Sequence, residues 1–287
     1  MDIGIGIPNT VPGASGSDLL EWARRAEAAG FSSLATIGAV SYPGYEELTV
    51  FAAAGAVTEH IRFLSNVLIA PARSTAELAK QAATVDQLTG GRLTLGLGIG
   101  WRATDFQLTG RDFGTRGRQF DEQLRGLQAA WAGEPLADGT KPVGPRPVQQ
   151  PGVPLVLGGT VDASVRRVVE FGSGWTAGGM PPDAVGSMVD KVQSAWSEAG
   201  RDGRAKIVAL AYFSLGDTVD DSRRYLLDYY EPMGSEIAEM VAGSALRSVD
   251  SISGALEAYA RAGVDELILD PTVWRPEQVD LLAEAVF

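Results

Sequence analysis

The sequence predicts a closed (β/α)8 barrel, and three observations carry that prediction. Strand-like and helix-like segments alternate nearly from end to end, and the strand-like ones number eight. The chain has 287 residues, 45% of them hydrophobic, which suits one large α/β domain over residues 1–287. The first strand runs into PNTVPGASG, not into the GxGxxG turn that opens a dinucleotide-binding open sheet.

Taken in order, Ile3 to Ile7 is a short β-rich run, and Ser17 is the expected N-cap of a helix whose Leu20, Ala23 and Ala26 to Ala28 face inward. Gly30 ends that helix. Ser33 to Ile37 is the second strand, Glu46 to Glu59 an Ala-rich helix, and Ile61 to Ile69 the third strand. In the stretch LAKQAATVDQLTGGRLTLGLGIGW, Leu78, Ala82, Val85 and Leu88 fall at helical spacing, so Thr75 to Leu88 is predicted to be a helix with one apolar face. Gly90 and Gly91 stand where a left-handed cap ends it, and Leu93 to Gly98 is the fourth strand. A long loop precedes a helix over Arg116 to Trp131. The Pro/Gly-rich stretch Pro135 to Pro154 is taken as a crossing loop within one barrel, because the strand count closes only if both sides belong together. Strand Leu155 to Gly158, helix Val161 to Phe171, strand Gly174 to Ala177, helix Pro182 to Ala199 and strand Ile207 to Phe213 follow. Helical stretches Asp220 to Tyr230 and Ser251 to Ala262 then lead to strand Val264 to Leu269 and a last helix, Pro276 to Val286.

Composition removes several classes of function. A net charge of −12, with 36 acidic against 24 basic residues and no basic run, argues against a nucleic-acid partner. With no cysteine, disulfides, thiol catalysis and thiolate metal sites are excluded. The longest apolar-looking segment, Leu48 to Val57, is interrupted by Thr49 and Gly55 and is too short to span a bilayer. The N-terminus carries no signal-peptide pattern, so a soluble cytoplasmic protein is the expectation.

In a barrel the chemistry lies where strands end and βα loops begin. Those ends are rich in glycine here. Gly158-Gly159-Thr160 opens a helix and Gly178-Gly179 comes one unit later, so both pairs offer backbone N–H groups to a phosphate, or merely make tight turns. The single histidine, His60, precedes a strand and belongs to the opposite, bottom face. Asp86 and Arg92 flank a turn on that side, where a structural ion pair is expected. Of Arg111, Arg116 and Arg118, most are expected in solvent, with Asp121 or Glu122 as a partner for one. No HExxH, GxSxG or paired metal ligands appear, so no metal is expected. The aromatics Trp101, Phe106, Tyr212, Phe213, Tyr225, Tyr229 and Tyr230 either wall a pocket or fill the core. A barrel with no acid–base pair and a glycine-lined mouth points to a cofactor that brings its own reactivity.

The stretch LAKQAATVDQLTGGRLTLGLGIGW, preceded by VLIAPAR and followed by RGRQFDE, resembles the signature of the luciferase-like monooxygenase superfamily. GPRPVQQPGVPLVLGGT and FGSGWTAGG resemble its fifth and sixth strand regions, and the motifs come in family order over nearly the whole chain. The resemblance implies reduced flavin mononucleotide (FMN) with oxygen, or the deazaflavin F420 for hydride transfer. It implies a non-prolyl cis peptide in Ser65-Asn66-Val67, at the Asn66–Val67 bond, behind the cofactor ring. It assigns Gly158, Gly159 and Thr160 to a phosphate loop, Gly178 and Gly179 to its neighbour, and Gly98, Gly100 and Trp101 to the loop beside the cofactor tail. Gly38, Ala39, Phe106, Tyr212 and Tyr229 are the candidates for the substrate pocket, with an apolar or ring-containing small molecule as substrate.

The chain departs from the family at one telling place. Many members carry Asp-His or Asp-Arg after the second strand, and this chain has Gly38-Ala39. A histidine-assisted mechanism is therefore not expected, and no catalytic side chain is assigned. Three functions stay open: an FMN-dependent monooxygenase acting on a small organic molecule, an F420-dependent reductase, and a flavin-binding relative without catalysis. The family also implies a homodimer through its early helices and, for the monooxygenase, a separate flavin reductase.

Overall fold

A computed structural model describes residues 1–287. The elements run β1 (Asp2–Gly6), α1 (Gly16–Ala29), β2 (Ser33–Thr36), α2 (Glu47–Gly55), β3 (Arg62–Ser65), β4 (Leu68–Ile69), α3 (Thr75–Leu88) and β5 (Leu93–Gly98). They continue with α4 (Ala103–Thr109), α5 (Arg116–Ala132), β6 (Leu155–Gly158), α6 (Asp162–Phe171), β7 (Gly174–Thr176), α7 (Pro182–Glu198) and β8 (Lys206–Phe213). The chain ends with α8 (Val219–Tyr230), α9 (Ser235–Ser244), α10 (Val249–Arg261), β9 (Glu266–Pro271) and α11 (Glu277–Val286).

All strands are parallel, in the order β3-β2-β1-β9-β8-β7-β6-β5-β4, and Phe63 of β3 opposite Leu93 of β5 closes the sheet on itself. β3 and β4 are two halves of one barrel position, so the (β/α)8 barrel has its eight staves. The predicted strand Ile61 to Ile69 is thus interrupted, at Asn66–Val67, whose peptide bond is cis. Strand alternation sorts the side chains. On β8, Ile207, Ala209 and Phe213 pack outward against the helices, while Val208, Leu210 and Tyr212 point into the barrel with Ala35, Leu64, Val156 and Ile268. At the bottom, buried Glu266 accepts from Ser32 and Ser33 at 2.6 Å and pairs with Lys206. Those charge-assisted bonds hold its carboxyl below the usual range against the opposing effect of burial.

Several expectations are corrected. Ser15, not Ser17, caps α1, because Asp18 stands three residues on and closes a capping box with it. Leu88 does not belong to the apolar face of α3 and is 63% exposed. The loop expected after β5 contains α4, and α9 was not foreseen. Asp86 and Arg92 do not pair. Asp86 accepts from the backbone of Val148 and Gln149 and from the Gln149 side chain, pinning the crossing loop to α3. Arg92 donates instead to the carbonyls of Gly55, Thr58, Ile61 and Thr89 and to the Thr58 hydroxyl. His60 is exposed at the bottom face, as expected of it.

Candidate active site

The C-terminal ends of the strands open into a cavity of about 600 Å³. Its floor and walls come from Ile37, Gly38, Asn66, Val67, Gly98, Gly100, Gly158, Gly159, Gly178 and Gly179, and its far side from Trp101, Tyr212, Tyr229 and Tyr230. Met233, Ile237 and Val241 roof it. Ile237 and Val241 are one helical turn apart on α9, so the helix missed in the sequence supplies this apolar cover.

Asn66 sits at the break between β3 and β4 and is only 6% exposed. Its Oδ1 accepts from the Thr176 hydroxyl at 2.7 Å, and that hydroxyl in turn accepts from the Gly178 N–H at 3.1 Å. The network fixes the amide and leaves its Nδ2 buried without a partner. An orphaned donor on a cavity wall calls for an acceptor on whatever binds there. Gly178 has φ +55°, and a Cβ built there or at Gly179 would meet nothing within 4 Å, so the backbone lies bare along open space. Gly38 is a close approach instead. A Cβ there would come 2.5 Å from Glu47 Oε1 and 2.6 Å from the Val67 carbonyl oxygen.

Arg116 is the one charged residue in the wall. Its Nε donates to Gly100 O at 3.2 Å and Nη1 to Phe113 O at 2.8 Å, which leaves Nη2 uncommitted. The expectation that Asp121 or Glu122 would partner one of the Arg111–Arg118 group is not met, because Asp121 is held by Arg166 and Arg167. At the rim, the Arg102 guanidinium lies 4.4 Å from the Trp101 ring and 4.7 Å from the Tyr229 ring and donates to Tyr229 O. Besides this cation–π sandwich, Trp101 lies nearly parallel to the Tyr230 ring, at 6.1 Å. Burial pushes the phenols up, Tyr230 to about 12 and Tyr212 well above its ordinary value.

Four of the residues singled out from the sequence do not line the cavity. Ser65 is fully buried and donates to Gly96 O; it holds the strands together behind the wall. Phe106 packs under Ile69 and Ala72. Ala39 packs with the Tyr42 side of the inner cluster, and Thr160 is exposed beyond the rim. Of the other aromatics, Phe213 is core, and Tyr225 bonds Thr10 away from the cavity. Asn66, Val67, Gly98, Gly100, Trp101, Gly158, Gly159, Gly178, Gly179, Gly38, Tyr212 and Tyr229 do come together. Sequence reasoning missed the roof, for which the spacing of Met233, Ile237 and Val241 was the available signal. No group of three or more acidic, histidine or cysteine side chains is arranged to hold a metal, and no helix is long and apolar enough to cross a membrane.

A family model described as luciferase-like monooxygenase matches residues 1–275. An uncharacterised protein of Mycobacterium tuberculosis (strain ATCC 25618 / H37Rv) is 32% identical over 231 residues, covering 70% of this chain and 78% of the relative. The FMNH(2)-dependent dimethylsulfone monooxygenase of Pseudomonas putida is 27% identical over 195 residues, 64% of this chain and 53% of that protein. Among solved structures, an F420-dependent secondary alcohol dehydrogenase superposes with a TM-score of 0.79 at 18% identity, covering 99% of this chain and 98% of its own.

Proposed function

The chain belongs to the luciferase-like monooxygenase family, and from that premise we propose that it is an oxidoreductase that binds reduced FMN in the barrel mouth and oxidises a small apolar or aromatic molecule with oxygen. The observation that carries this reading is the unpartnered Asn66 Nδ2 on a wall otherwise built of glycine and apolar side chains. A flat heteroaromatic ring with carbonyl acceptors on its edge fits that wall: it gives Nδ2 an acceptor, and the bare backbone admits it closely.

FMN, when bound, supplies the reducing electrons and the site at which oxygen is activated. The protein binds, orients and shields. Asn66, aligned by Thr176, sets the ring's edge; Gly158, Gly159, Gly178 and Gly179 present backbone toward the tail; Arg116 offsets phosphate charge. Ile37, Val67, Leu210 and the α9 roof keep water from the reacting face. No histidine takes part, since the only one is at the far end of the barrel. A homodimer and a separate flavin reductase belong to the same reading. FMN is favoured by the FMNH(2)-dependent relative. A second reading, F420-dependent hydride transfer, draws on the exposed rim at Gly159 and Gly179, where a longer anionic tail would leave the cavity.

Fluorescence titration of the purified protein with FMN and with F420 separately tests the assignment. FMN quenching at micromolar concentration is expected. Binding of F420 alone overturns the monooxygenase reading, and binding of neither favours a relative that has lost catalysis.

A further inference from the structure

The tyrosines at the cavity's far side differ in how their hydroxyls are spent. Tyr225 is committed to Thr10 at 2.7 Å, and Tyr229 leans on Gly38 O at 3.4 Å. Tyr212 and Tyr230 bond each other, hydroxyl to hydroxyl, at 2.7 Å. Two hydroxyls carry two protons, and one contact uses one of them. The second proton has one obvious alternative acceptor, the carboxyl of Asp270, which stands opposite Tyr212 in the β8–β9 register. It is not used: Asp270 Oδ1 is buried without a partner. Burial also raises the pKa of that carboxyl well above its ordinary value, which makes it a weaker competitor for the phenolic proton. Both tyrosines line the cavity.

We propose that the Tyr212–Tyr230 pair is a substrate-oxygen site, donating its one uncommitted O–H to an oxygen on the substrate's reacting carbon. The substrate class is then a small ketone or aldehyde with an apolar body, not a bare hydrocarbon or a thioether. The pair suits this role because a hydroxyl that itself accepts a hydrogen bond is a stronger donor, and charge gathering on the substrate oxygen is spread over both phenols. The inference rests on the reading that this cavity takes the substrate, but not on which flavin accompanies it.

4-(Dimethylamino)cinnamaldehyde is the probe, since its absorption moves to the red when its carbonyl oxygen accepts a strong hydrogen bond. Binding to the native protein is expected to shift the band. Tyr212→Phe and Tyr230→Phe each leave one hydroxyl free and keep part of the shift; the double variant loses it and binds the aldehyde about three- to tenfold more weakly. The oxygen-free analogue 4-(dimethylamino)styrene is expected to bind native and double variant alike. Unchanged circular dichroism and FMN quenching in the double variant show that the cavity is intact. An unshifted band in the native protein, no binding at millimolar aldehyde, or an equal shift in the double variant overturns the proposal. If the native protein shifts the aldehyde band but does not bind FMN, the FMN reading falls and this one stands.

Discussion

Asn66 and Asp270 each bury a polar atom with no hydrogen-bond partner, Nδ2 in the one and Oδ1 in the other. They differ in what lies in front of them. Asn66 lines the cavity, so a ligand can supply the missing acceptor; Asp270, opposite Tyr212 in the sheet, is not among the lining residues. Asn66→Ala is therefore expected to weaken FMN binding about tenfold, the worth of one well-made buried hydrogen bond, as read by fluorescence quenching. Thr176→Val, which only frees the amide to turn, is expected to cost less. Equal affinity in Asn66→Ala removes the observation on which the cofactor assignment rests. For Asp270 the prediction concerns stability. Burial raises its folded-state pKa well above that of the unfolded chain. Its contribution is therefore full below the unfolded pKa near 4 and is lost as pH rises toward the folded value, by about 1.4 kcal/mol per pH unit. Asp270→Asn removes that slope. Urea unfolding followed upward from pH 4 should show the variant gaining on the native protein as pH rises, and parallel curves would refute it.

Arg92 shows how an element is tied in place by a side chain whose partners are not side chains. It gathers the C-terminal end of α2, the turn after α3 and the loop before β3 by donating to four carbonyls and a hydroxyl. Arg92→Ala is expected to destabilise the fold by about 2–4 kcal/mol, and Arg92→Lys to recover little, since an ammonium lacks the planar fork. Chemical denaturation measures both, and FMN affinity should stay unchanged because the cluster lies at the opposite end of the barrel. In the sequence this residue suggested an ion pair with Asp86; carbonyl acceptors leave no trace in residue type. Strands such as Leu93–Gly98 were legible because alternating apolar residues and glycine punctuation are local signals. So was helix Thr75–Leu88, where the helical spacing of apolar residues and the glycine stop at Gly90-Gly91 agree. The short α4 and the roof helix α9 were not, because few of their residues are buried, and the i, i+4, i+8 spacing of Met233, Ile237 and Val241 gains meaning only over the barrel mouth that it covers. The cavity's glycines were legible from their position after strands. The fates of Tyr212, Tyr230 and Asp270 depend on register between β8 and β9 and on the return of α8, which only the closed barrel decides.

At the scale of the whole molecule, a net charge of −12 surrounds a cavity whose only charged wall residue is Arg116. An FMN phosphate approaching this protein meets two opposing effects. The global field repels it over distances comparable with the Debye length, about 10 Å at 0.1 M salt, so added salt weakens the repulsion. Arg116 acts at contact, in a partly buried setting that salt screens much less. Raising sodium chloride from about 20 to about 200 mM, a range over which the Debye length falls from roughly 20 to 7 Å, is therefore expected to leave FMN affinity unchanged or to strengthen it a few-fold. That is the reverse of what a basic phosphate-binding surface does. Arg116→Gln is expected to weaken binding about tenfold at both salt concentrations, since it removes the contact and leaves the global field nearly as it was. If native affinity instead falls with salt and the loss vanishes in Arg116→Gln, the attraction is long-ranged and Arg116 steers the ligand without holding it. If Arg116→Gln binds as tightly as the native protein, the phosphate sits on backbone N–H groups at Gly158–Gly159 and Gly178–Gly179 without help from a cation.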